Sequence, residues 1–168
     1  MQAVGQVGLV SAEREAFTAF VTPHWAGMAR LAARLAPPGE WEDALQDALI
    51  AAWRKRHQYD DARGTARNWL LAIVADQCRK GHRRRFGRHE QQLVELPLEA
   101  PDRSAGPDLD RALRRLSDRQ RAVVALHYYL GLPVAEVADV LGVSAGTVKS
   151  TLSDARDRLR HELGEDYR

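Results

Sequence analysis

Five residues between positions 146 and 156 share the chemistry of polyanion recognition. Gly146, Lys149, Ser150, Ser153 and Arg156 recur at helical spacing within LGVSAGTVKSTLSDARDRLRHEL (141–163). A helix there gathers two bases, two hydroxyls and a small residue on one face. Lysine and arginine reach phosphates or guanine edges, hydroxyls donate to either, and a glycine lets the backbone come close to a duplex. The opposite face, Val148, Leu152, Ala155 and Leu159, is an apolar stripe that needs a core.

A second set with chemical potential is Cys78, His82 and His89. Their Cys-x3-His-x6-His spacing offers only three ligands, and it lies in a segment, 79–89, with six bases and no acid. Positive charge opposes a cation there, so Cys78 is read as a core residue and no metal or other cofactor is expected. The scattered histidines form no Ser/His/Asp motif, and no glycine-rich phosphate loop follows a strand, so no catalytic role is expected. The basic block reads as a solvated helix end or as a phosphate-binding patch. Residues 90–110 directly after it carry six acids and one base.

Helices must position these groups. Ser144 stands as an N-cap behind Gly142. Before it, PVAEVADVLG places Pro133 at a first helical turn and Val134, Val137, Ala138 and Leu141 at i, i+3, i+4 and i+7. Two short helices joined by this turn, the second longer and basic near its start, spell a helix-turn-helix whose second helix enters the major groove. A helical hairpin without nucleic acid has the same bare pattern. Upstream, Ser117 and Gln120 form a capping box, so a helix is expected from near Asp118. It buries Val123, Val124, Leu126 and either Tyr128 or Tyr129, and ends at Gly131.

The N-terminal half shows the same period. Phe17, Phe20, Val21, Trp25, Met28, Leu31, Ala32 and Leu35 follow helical spacing, with Pro23 kinking or splitting the run. Trp41, Ala44, Leu45, Ala48, Ala52 and Trp53 predict a second helix. Its outer face begins with Glu40, Glu42, Asp43, Gln46 and Asp47 and ends with Arg54, Lys55 and Arg56, an order that suits the helix dipole. A third helix carries Trp69, Leu70, Ile73, Val74 and Gln77 and runs into the basic block, a plausible nucleic-acid surface. LPLEAPDRSAGPDLD (96–110) has three prolines and no apolar period, which predicts an extended, mobile linker. The expected fold is therefore all-α, two small helical domains at 12–89 and 110–164 joined by a flexible acidic linker at 90–109.

The 168 residues, 45% hydrophobic and 29% charged, are enough to fold unaided. No apolar run approaches a membrane span and no export signal is visible, and a single cysteine suits a reducing compartment. A cytoplasmic protein without membrane insertion is expected.

LSDRQRAVVALHYYLGLPVAEVADVLGVSAGTVKSTLSDARDRLRHEL closely resembles region 4 of the extracytoplasmic-function sigma factors, which direct bacterial RNA polymerase to stress- and signal-responsive promoters. WEDALQDALIAAWRK and NWLLAIVADQCRKGHRRR look like parts of region 2. The resemblance implies that Glu42, Asp43, Gln46 and Asp47, with Trp53 anchoring their helix, meet the clamp helices of the polymerase largest subunit. Trp69, Asp76, Lys80, Arg83, Arg84 and Arg85 fall in the part that captures the unpaired minus-10 strand. Arg119, Gln120 and Arg121 fall near the flap of the second-largest subunit and the DNA. Ser144, Thr147, Lys149, Ser150 and Arg156 match the helix that reads the minus-35 element. An anti-sigma factor is an implied partner.

The chain departs from the family pattern at Asp76, where Asn is common, at Lys80, where Asp is usual, and at Thr151 and Asp154, which replace frequent arginines. These bear on promoter sequence. The rival reading is a two-domain helix-turn-helix regulator that binds duplex DNA without polymerase. Its weak point is the all-helical first half, which lacks the strands and acidic pocket of a receiver domain.

Overall fold

The structure, a computed structural model, describes residues 3–81 and 107–164. The basic side chains Arg83, Arg84 and Arg85, the pair His82 and His89, and the greater part of the predicted linker lie outside the described residues. Every regular element among those described is helical.

The first group comprises α1 (Ala3–Val21), α2 (Trp25–Leu35), α3 (Trp41–Lys55) and α4 (Ala66–Gly81). The run expected around Pro23 is split: Thr22–His24 forms a 3-10 turn with the proline near its start, where a missing N–H costs nothing. Helices α2, α3 and α4 pack on one another around Met28, Leu31, Leu45, Leu70 and Val74, all nearly inaccessible. Cys78 belongs to this core, and burial pushes its thiol pKa up to about 12, so it stays a protonated packing group.

The second group comprises α5 (Pro107–Arg115), α6 (Asp118–Val124), α7 (Val134–Leu141) and α8 (Ala145–Leu163). Helix α5 opens on Pro107 with Asp108 and Asp110 in its first turn, so residues 107–109, counted with the linker in the sequence, are helical here. The capping box forms as expected: Ser117 Oγ accepts from the Gln120 N–H, and Gln120 Oε1 accepts from the Ser117 N–H. Helix α6 then widens into a π-helical turn, Ala125–Tyr129, closed by the Leu130 N–H donating to the Ala125 carbonyl. That widening settles the tyrosine alternative. Tyr129 packs against the core while Tyr128 remains 55% exposed.

Pro133 is the N-cap of α7 rather than a residue of its first turn. Gly142, at φ 63°, ends α7 in the left-handed region that disfavours side chains, and this reversal sets the corner into α8. Both helix groups contribute to one continuous buried cluster, in which Leu35 and Val74 share a core with Leu126, Leu132 and Val137.

Candidate nucleic-acid interface

Helix α8 is held from both ends of its logic, cap and stripe. Ser144 Oγ accepts the Thr147 N–H at 3.0 Å, and the two hydroxyls of Ser144 and Thr147 lie 2.9 Å apart. Val148, Thr151, Leu152 and Ala155 are buried, which leaves Gly146, Lys149, Ser150, Ser153 and Arg156 on the exposed side. The polar face read from the sequence therefore exists as one surface. Ser150 Oγ donates to the Thr147 carbonyl, and Arg156 Nε donates to the Leu152 carbonyl, leaving the rest of each side chain facing solvent. Thr151 is a different case. It occupies the i+3 position of the apolar stripe and is only 8% exposed, so it packs within the protein and does not face a groove. Asp154 is exposed.

The three residues of the RQR sequence are divided by the fold. Arg119 is exposed. Gln120 is committed to the capping box, and Arg121 is half-buried, donating through Nη2 to the Leu116 carbonyl and approaching Asp118 at 3.4 Å. The Nε of Arg121 is buried without a partner.

On α3, Glu42, Asp43 and Asp47 are exposed and Gln46 is half-buried, one acidic surface behind which Trp41, Leu45, Ala48 and Ala52 are buried. Trp53 faces inward. It meets Phe17 edge-on at 5.2 Å, and the Arg56 guanidinium lies 4.0 Å over its ring while pairing with Glu13 at 2.7 Å. These contacts pin α3 to α1.

Trp69, at the start of α4, stands in an aromatic group the sequence did not reveal. Its ring lies 5.5 Å from Tyr59 and 6.1 Å from Phe20, and Phe20 lies 5.2 Å from Tyr59. The three come from α1, the α3–α4 connection and α4, and no local period links positions that far apart. Further along α4, Asp76 pairs with Lys80 at 2.6 Å and with Arg79 at 2.8 Å. Burial raises the Asp76 pKa, but the hydrogen bonds and charges of Lys80 and Arg79 outweigh it and hold the carboxyl below its ordinary value.

A lowered folded-state pKa means that Asp76 stabilises the fold when ionised. The contribution is complete above the unfolded value near 3.8 and disappears as pH falls through the folded value. Asp76→Asn should therefore cost about 0.5 kcal/mol, the worth of such helix pairs, at neutral pH. Urea titrations at pH 7 and pH 3 check this: the gap between variant and parent should close at the lower pH.

Residues 12–86 match the family description Sigma-70 region 2, and residues 108–159 match Sigma-70, region 4. The chain is 36% identical over 162 residues to ECF RNA polymerase sigma factor SigM of Mycobacterium tuberculosis, a match that covers 92% of this chain and 81% of that protein. It is 33% identical over 171 residues to ECF RNA polymerase sigma factor SigK of Mycolicibacterium vanbaalenii, covering 90% and 84%. Its fold superposes with a TM-score of 0.69, at 26% identity, on the sigma factor RpoE in complex with the anti-sigma factor NepR from Bartonella quintana, over 90% of this chain and 99% of that one. The structure of CnrH in complex with the cytosolic domain of CnrY gives a TM-score of 0.67 at 28% identity, over 90% of each chain.

Proposed function

The chain belongs to the extracytoplasmic-function RNA polymerase sigma factors of the sigma-70 family, and from that membership we propose how its parts divide the work of an alternative sigma factor that directs transcription initiation. Residues 12–89 act as region 2, residues 110–164 as region 4, and the segment between them as the tether. Glu42, Asp43, Gln46 and Asp47 form the surface for core polymerase, with Trp53 holding α3 in place behind them. Trp69, Asp76 and Lys80, with Arg83, Arg84 and Arg85, take the unpaired minus-10 strand. Aromatic faces stack on bases while cations hold the backbone, and the Asp76 carboxylate accepts from an exposed base amine.

Ser144, Thr147, Lys149, Ser150 and Arg156 read the minus-35 duplex, and Arg119 and Arg121 flank it. The observation that carries this reading is the single exposed polar face of α8, opposite its buried stripe, on the second helix of a helix-turn-helix. The reading assigns the chain no catalytic step and no cofactor, and places it in the cytoplasm with polymerase and promoter. No helix among the described residues is long and apolar enough to cross a membrane. One of the similar structures is a sigma factor in complex with an anti-sigma factor, which supports a partner of that kind here.

The test is reconstituted transcription with purified protein, bacterial core polymerase and a promoter library. Promoter-specific transcripts should require both proteins. Tight, specific binding of promoter duplex by the chain alone, with no effect on polymerase, would instead establish the duplex-binding regulator. In the same system Lys149→Ala should weaken promoter binding by the holoenzyme. A phosphate contact shows as a uniform loss with the salt slope reduced by about 1, and a guanine contact as a sequence-dependent loss of about 1–3 kcal/mol. Unchanged binding at every promoter and salt concentration removes α8 from the groove.

A further inference from the structure

Resting on the placement of α8 in the minus-35 groove, we propose that Asp154 is a specificity-determining residue that reads a cytosine there, its carboxylate accepting from the N4 amine. Asp154 is exposed on α8, one turn after Ser150 and directly after Ser153, outside the buried stripe of Val148, Leu152 and Ala155. A helical side chain leans toward the N-terminus of its helix, so this carboxylate lies over the turn that carries Ser150. Asp154 stands nine residues after Ala145, about 13 Å along the axis at ~1.5 Å per residue, and the lean brings its carboxylate within the ~12 Å width of a major groove. The N-terminal part of such a helix is the part that meets base edges.

Asp154 differs from the neighbouring acids in having no partner. Asp157, nearly a turn further on, pairs with Arg160 at 2.7 Å, and Asp118 on α6 approaches Arg121 at 3.4 Å. Arg158 stands four residues after Asp154, the spacing at which acid and base pair along a helix. Even so, no hydrogen bond or ion pair engages the Asp154 carboxylate among the described residues. It is left available to a donor from outside.

The duplex restricts what that donor can be. A carboxylate brought between two phosphate backbones is destabilised unless a donor meets it. It accepts and does not donate, so guanine, with O6 and N7, and thymine, with O4, oppose it. The donors on the major-groove edge are the N4 amine of cytosine and the N6 amine of adenine. Adenine sets its N7 acceptor beside the amine, whereas cytosine has a C–H there. Cytosine is therefore the base that satisfies the carboxylate without presenting an opposing lone pair.

The test uses holoenzyme assembled from bacterial core polymerase and the full-length protein, selected for binding to promoter duplexes randomised across the minus-35 element with the minus-10 element fixed. The parent should enrich cytosine at one position by about tenfold over thymine. Asp154→Ala should flatten that position alone, with helicity retained, because the side chain is exposed. Asp154→Asn should move the preference to adenine, whose N6 and N7 match a carboxamide. The selected cytosine is then replaced by 2-pyrimidinone, which is cytosine without its amine. The parent should lose about tenfold in affinity and Asp154→Ala less than about twofold, since the altered duplex is common to both measurements and only the amine–carboxylate contact differs. Coincident profiles for parent and Asp154→Ala, or equal losses on 2-pyrimidinone, refute the assignment while leaving α8 in the groove if Lys149→Ala still changes binding. A parent with no base preference anywhere in the randomised element refutes the placement of α8 itself, and the role of Asp154 falls with it. If the chain binds duplex without polymerase, the same two comparisons on the chain alone decide the role of Asp154.

Discussion

Reversing two charges on α3, Asp43→Lys together with Asp47→Lys, is expected to lower affinity for core RNA polymerase by about 2–4 kcal/mol, or roughly 30- to 1,000-fold. Both residues are exposed on the acidic face, and no base follows them on α3 until Arg54. Glu42 and Asp43 lie in the first turn, where the helix dipole rewards an acid by about 0.3–1 kcal/mol. Asp47 lies a full turn further on, beyond the reach of that effect. On the proposed polymerase-binding role of this face, a reversed surface would set like charges against a basic partner. The companion variant Asp43→Asn with Asp47→Asn removes charge without adding repulsion, and should show a smaller loss in the same direction. Core binding is measured by fluorescence anisotropy, with circular dichroism confirming that the helices persist. Undiminished binding by the folded double-lysine variant removes α3 from the polymerase interface.

The largest effect on folding is expected at Leu126, in the π-helical turn, where no surface is exposed. Leu126→Ala should cost about 2–5 kcal/mol, the transfer term plus the cavity left in a packed site. For a chain of this length each kcal/mol moves Tm by about 2–4 °C, so thermal denaturation should shift by roughly 5–20 °C. Tyr128→Ala, two residues on and 55% exposed, should stay within about 0.5 kcal/mol of the parent. The contrast tests the π-helical register itself. A regular α-helix through these positions would turn the tyrosines differently, and a large loss at Tyr128 with a small one at Leu126 would contradict the widened turn.

What the sequence by itself determined about this protein is whatever nearest neighbours along the chain decide. The capping box at Ser117 and Gln120, the left-handed Gly142, the cap at Ser144 and the stripe of Val148, Leu152 and Ala155 are all local devices, each complete within about one or two turns of helix. The helix-turn-helix and the exposed face with Lys149 and Arg156 follow from them, so both fold class and candidate DNA surface were legible. Tertiary structure decided the rest. Thr151 is buried because of what α8 packs against, since a hydroxyl beside a methyl fits a stripe or a polar face equally well. Tyr129 rather than Tyr128 turns inward because the helix widens beneath it, and Trp69 joins Phe20 and Tyr59 because three separate elements converge. Arg34 reads in the sequence as one more base on a helix. It becomes a tie between the two helix groups only when Asp110 and Tyr129, more than seventy residues away, are folded back over it. Helical periodicity records which side of a helix is apolar, but it carries no information about which distant helix will cover that side.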